Sequence, residues 1–183
     1  NFFTTNDFEP FDETVPEGKH KVEALLVTAK GQRRIAALRM KWSDAPIEFF
    51  QPAWTAESRF RCLEQKFLPA FGVDSACAAI VSREAFEKLN ANPDLVAANK
   101  LPVPGADSDP FTVVEGMEGA VGLYREARLE EGALSNLDLN IIACYSGLGD
   151  GSYHAYFSYD VEQKRTGLYV DFGMLGEPSR IPL

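Results

Sequence analysis

Histidine and cysteine are scarce in this chain, and each shortage removes a class of chemistry. Two His, His20 and His154, among 183 residues leave no material for a multi-histidine metal centre. Cys62, Cys77 and Cys144 are odd in number and far apart, with no C-x-x-C pair, so neither a disulfide framework nor a thiolate metal site is indicated. Cys144 lies inside the apolar run 139–145 and reads as a small buried hydrophobe. A reducing, cytoplasmic setting fits this cysteine usage, although the first residue is Asn1 rather than Met, which leaves a removed export leader open. No apolar run approaches the ~18 residues of a membrane helix, so no membrane partner is expected. Positive charge is short too. The 18 Lys and Arg against 27 Asp and Glu give a net charge of -9, which opposes attraction to nucleic acid and to anionic lipid. A basic protein partner is what this balance favours.

What the chain does contain argues for a folded globule. Apolar residues make up 45%, with thirteen Phe, six Tyr and two Trp. A chain of this length buries roughly 70% of its unfolded surface, so one domain over residues 1–183 is expected. Apolar alternation over 19–29 and 33–42, around Lys30-Gly31-Gln32, reads as a β-hairpin. Arg33, Arg34, Arg39 and Lys41 then form its solvated face. A short strand is expected over 47–50. A helix follows over 56–68, capped by Thr55 and closed by Pro69. Residues 71–82 read as a turn leading into a buried strand, and Ser82 caps a short helix ending at Leu89. The stretch 101–110, with three Pro, reads as a surface loop, and 124–131 is rich enough in helix formers to suggest a third helix. Three β-rich runs, 139–145, 153–159 and 167–172, close the chain, with antiparallel neighbours as the simplest arrangement. The expected class is α+β: mainly antiparallel β-sheet with two or three peripheral helices.

The most distinctive segment is Ser146-Gly147-Leu148-Gly149-Asp150-Gly151-Ser152-Tyr153-His154. Alternate glycines suit either an anion-binding nest or a tight β-connection. The residues that follow alternate as a strand instead of opening a helix, which favours the connection. In that strand Tyr153, Ala155, Phe157 and Tyr159 share one face, and His154, Tyr156, Ser158 and Asp160 share the other. Asp171 on the next strand could stand beside His154, an arrangement able to orient an imidazole as a base. An ordinary cross-strand polar pair is the simpler reading, because no nucleophile accompanies it. Asp74, Asp150, Asp160 and Asp171 do not follow the Asp-x-Asp-x-Asp-Gly cation loop, so they read as turn carboxylates and no cofactor or metal is implied. Asp74, Asp150, Ser152, His154 and Asp171 are the candidate ligand-binding residues.

The segment Gly149-Asp150-Gly151-Ser152-Tyr153, with Tyr156, Asp160 and the closing Val170-Asp171-Phe172-Gly173-Met174-Leu175, resembles the bacterial family known as domain of unknown function 4241. The likeness extends to Val15-Pro16-Glu17-Gly18, Ala36-Ala37-Leu38-Arg39, Trp42-Ser43 and Phe71-Gly72-Val73-Asp74-Ser75, and so covers most of the chain. The resemblance implies no activity or catalytic residues. Two functions therefore stand side by side: a binding or interaction module, in the manner of small domains that neutralise a toxin, and a small hydrolase or cation-dependent enzyme using Asp74, Asp150, His154 and Asp171.

Overall fold

Val22, Ala24 and Leu26 alternate with Lys21, Glu23 and Leu25, and this period of two is what a strand with one buried face requires. In the computed structural model, which describes residues 9–29, 31–56, 58, 59, 68–73, 76–91, 125–128 and 140–174, Lys21–Ala29 forms strand β1. Gly31, at φ 75°, turns the chain into β2, Gln32–Lys41, which pairs antiparallel with β1 as the sequence leads one to expect. One residue of β2, Ala36, is extra between the pairs Leu25–Ala37 and Leu26–Ile35. This bulge resets the alternation, so that Ile35 as well as Leu38 and Met40 faces the core.

The short strand β3 is Phe49–Pro52, two residues later than the alternation suggests. It is followed by β4, Phe71–Val73, β5, Cys77–Val81, and helix α1, Arg83–Asn90. Ser82 caps α1 by accepting from the amide of Ala85 at 3.1 Å. The remaining strands are β6, Arg125–Arg128, β7, Asn140–Tyr145, β8, Gly151–Tyr159, and β9, Arg165–Asp171. The large sheet runs β1-β2-β9-β8-β3, and β4 joins β8 beyond the end of β3. A second sheet runs β5-β7-β6. All pairings are antiparallel.

Two expectations need correction. The chain is mainly antiparallel β, with α1 the one helix whose two ends both lie among the described residues, and not an α+β fold with two or three peripheral helices. The stretch Arg125–Arg128 is a strand, because pairing with Asn140–Ala143 of β7 outweighs the helix propensity of Arg, Glu and Ala, which is worth only a few tenths of a kcal/mol per residue. At the expected first helix, Thr55 and Ser58 do form a reciprocal cap, Thr55 Oγ1 accepting from Ser58 N at 3.1 Å and Ser58 Oγ from Thr55 N at 2.8 Å. Residues 60–67 of that segment, and the whole 101–110 loop, lie outside the described residues. The second correction concerns the last three runs: β8 and β9 are neighbours, but β7 pairs with β5 and β6 instead.

Buried side chains from both sheets meet in one cluster that includes Leu38, Val170, Phe157 and Phe172 with Ala78 and Cys144. Phe157 is 1% exposed, and burying such a ring contributes about 2 to 3 kcal/mol. Phe11 meets it edge-on, with ring centroids 6.0 Å apart. On the opposite face Ser158 Oγ lies 2.7 Å from Thr166 Oγ1, so the two buried hydroxyls satisfy each other. Gly167 lies beside them, and a Cβ there would come within 2.9 Å of the Met40 carbonyl oxygen. Close approach of β2 to β9 therefore excludes any side chain at that position.

Candidate functional site

The connection from β7 to β8 is held by its own hydrogen bonds. Gly149 N donates to Ser146 O at 2.7 Å and Ser146 Oγ donates to Gly149 O at 2.8 Å, closing a tight turn. The Tyr153 hydroxyl lies 2.6 Å from Gly149 O and 3.1 Å from Ser146 O, tying the turn to the start of β8. Gly147 and Gly149 both have positive φ, as the alternate glycines suggest. At Gly147 a Cβ would also lie 2.8 Å from Phe172 O, so the turn is pressed against the end of β9. Arg34 Nη1 donates to Gly147 O at 3.1 Å from the other side.

Asp150 completes this structure. Its Oδ1 accepts from Ala76 N at 2.7 Å, while Ala76 O accepts from Ser146 N at 2.9 Å. Ala76 has φ 54°, a conformation that costs a non-glycine residue roughly 1 to 2 kcal/mol, and the two bonds hold it there. The segment before β5 is thus clipped to the turn before β8. Within the turn itself, Gly149 N is spent on Ser146 O.

Along β8 the two faces separate as the alternation requires. Tyr153, Ala155 and Phe157 are buried, as are Leu168, Val170 and Phe172 beyond them. His154, Tyr156 and Asp171 occupy the other face and are half-buried. His154 is the direct cross-strand partner of Asp171, and Tyr156 that of Tyr169. Among the described residues no hydrogen bond joins His154 to Asp171. His154 Nδ1 lies 2.8 Å from the Pro69 carbonyl oxygen, which can only accept, so Nδ1 carries a proton and donates there. Asp171 Oδ1 accepts from Gly173 N at 2.8 Å. Burial, and secondly the Asp171 carboxylate, push the Tyr156 hydroxyl above its ordinary value, so it stays protonated and neutral.

The five candidate residues are therefore distributed as follows. His154 and Asp171 share a register position on one face, Asp150 turns toward Ala76, and Ser152 is exposed on β8 opposite Gly72. Asp74 lies outside the described residues. No three His, Cys, Asp or Glu side chains gather as metal ligands would among the described residues. Nor is any helix there long and apolar enough to cross a membrane. The sequence pointed to Asp150 but not to Ala76 or Pro69, its and His154's partners, because a backbone amide or carbonyl leaves no mark in residue type. A row of charge continues the same face: Arg39, opposite Tyr169, donates from Nε to Glu23 at 2.9 Å. Hydrogen bonds from Lys21 and then Arg39 hold the Glu23 carboxyl below its ordinary value.

Neither the curated proteins nor the solved structures contain a match to this chain. The family model described as protein of unknown function (DUF4241) matches residues 2–170, nearly the full length, and the chain belongs to that family.

Proposed function

We propose that the protein is an interaction module that binds a basic protein partner through its acidic surface. The observation that carries this reading is the engagement of the candidate catalytic groups by their own backbone: Asp150 at Ala76, His154 at Pro69 and Asp171 at Gly173. Asp150 is turned away to the β7–β8 turn, and His154 and Asp171, though paired in register, each bond to backbone and not to each other, which speaks against a working triad. Exposed carboxylates such as Glu17, Asp44, Glu48, Glu84 and Glu162, in a chain of charge -9, favour the approach of a cationic surface. By analogy with small acidic bacterial domains, toxin neutralisation is the finer form of this proposal.

The enzyme reading keeps one observation in its favour, the His154–Asp171 register pair beside a neutral Tyr156. One experiment separates the two. Purified protein is assayed for ester and phosphoester hydrolysis with magnesium, calcium and zinc, and in parallel its association with a partner recovered from the native host is timed at rising salt. The module predicts no turnover and an association rate that falls with salt, since the Debye length shrinks to about 8 Å near physiological ionic strength. Turnover lost in His154→Ala at unchanged stability would overturn it.

A further inference from the structure

Charge is not spread evenly along this chain. Residues 19–41, the β1–β2 hairpin with its approach, hold seven Lys and Arg and a single acid, Glu23, whereas the remainder holds 11 Lys and Arg against 26 Asp and Glu. The basic hairpin lies at one border of the large sheet, and among the described residues no strand pairs with the outer edge of β1. That edge offers a row of backbone amides and carbonyls over nine residues.

The side chains along β1 are incompletely covered. Val22, Ala24 and Leu26 pack on the core cluster but are only partly buried, while Leu38, Met40 and Ile35, their partners across or beside them on β2, are 1%, 9% and 1% exposed. On the other face Leu25 is 48% exposed. Lys19 is exposed, and the Lys21 side chain is 78% exposed even though it reaches Glu23. One more strand would bury the apolar residues on both faces and meet two lysines at its end.

We infer that the open edge of β1 receives an extended acidic segment of a partner protein, which adds to the large sheet as a further antiparallel or parallel strand. Its alternate residues are apolar, covering Val22, Ala24 and Leu26, and its carboxylates gather at the end of the strand marked by Lys21 and the preceding Lys19, because Glu23 occupies the middle of the other face. Charge selects this occupant over a second copy of the same edge, because two β1–β2 hairpins would bring like charges together. The surface is distinct from the acidic one proposed above, and failure of either leaves the other standing.

The test uses a capped peptide of alternating Val and Asp, with an alternating Val and Lys peptide as control, and reads amide hydrogen exchange by NMR together with peptide fluorescence anisotropy. The Val-Asp peptide is expected to bind, more weakly as salt rises, and to slow exchange at every second amide of 21–29, those that point away from β2. Lys19→Glu and Lys21→Glu, both at exposed positions, should each weaken binding about fivefold while the amides of β8 and β9 keep their exchange rates. Equal binding of the Val-Lys peptide, protection elsewhere in the sheet, or no binding would overturn the inference. So would slow exchange of the same amides in the peptide-free protein that grows with protein concentration, since this marks pairing between copies.

Discussion

Asp150 Oδ1 and Ala76 N, 74 residues apart in sequence, are joined by a hydrogen bond of 2.7 Å, and this bond fixes where the small sheet begins relative to the large one. The carboxylate is exposed, so solvent moderates its contribution. Asp150→Ala is expected to cost about 1 kcal/mol in urea unfolding, and Asp150→Asn less, because the amide oxygen can still accept. An Asn variant as damaging as Ala would mean that the negative charge, and not the acceptor, matters.

Gly147 and Gly173 both have positive φ, at 47° and 67°, yet their surroundings differ. A Cβ at Gly147 meets Phe172 O at 2.8 Å and Phe172 Cβ at 2.9 Å, whereas nothing lies within 4 Å of one at Gly173. Gly173→Ala should cost about 1 kcal/mol, from backbone strain alone. Gly147→Ala should cost about 2 to 4 kcal/mol, because contact adds to strain. Thermal unfolding of the two variants side by side checks the difference.

Phe157 sits among Phe11, Trp42 and the Arg165 guanidinium, the last 5.5 Å from its ring centroid. Phe157→Ala is expected to lose about 3 to 5 kcal/mol, and Phe50→Ala, at a position 36% exposed, about 1 kcal/mol. Similar losses in both would place the core on the wrong side of β8.

Glu23 gives the edge of the sheet a pH dependence. Its carboxyl titrates below the ordinary 4.5, so its ion pairs are fully formed above that value and are lost as pH falls through the lowered one in the folded protein. The side chain is 32% exposed, which keeps the effect below about 1 kcal/mol. Wild type and Glu23→Gln should therefore differ in stability at pH 6 and converge as pH falls below the lowered value. A gap that persists in acid would assign the loss to packing.

What could be read in advance was local. The β1–β2 hairpin declares itself through alternation around Gly31, and the buried face of β8 and β9 through Tyr153, Phe157, Leu168 and Val170. The turn glycines were legible for the same reason, since positive φ favours one residue type. Long-range pairing was not. Arg125–Arg128 carries helix-forming residues and becomes a strand only because β7 offers an edge, and nothing in 140–145 says that β5, not β8, is its neighbour. The candidate site was legible as residue types but not as roles: Asp150, Ser152, His154 and Asp171 could be named, while the backbone groups of Ala76, Pro69 and Gly173 that engage three of them could not.

The large sheet closes between β2 and β9, strands from opposite ends of the chain, with Ala37 facing Asp171 and Lys41 facing Gly167. Both hairpins that flank this seam are local and can form early, on the microsecond scale of hairpin closure. Their union cannot. On the ribosome, β2 emerges long before β9 exists, so Ile35, Leu38 and Met40 wait uncovered while most of the chain is still being made at roughly 5 to 20 residues per second. The abundant Lys and Arg of the β1–β2 hairpin give two such uncovered hairpins like charge, which disfavours their pairing edge to edge before β9 takes the edge of β2.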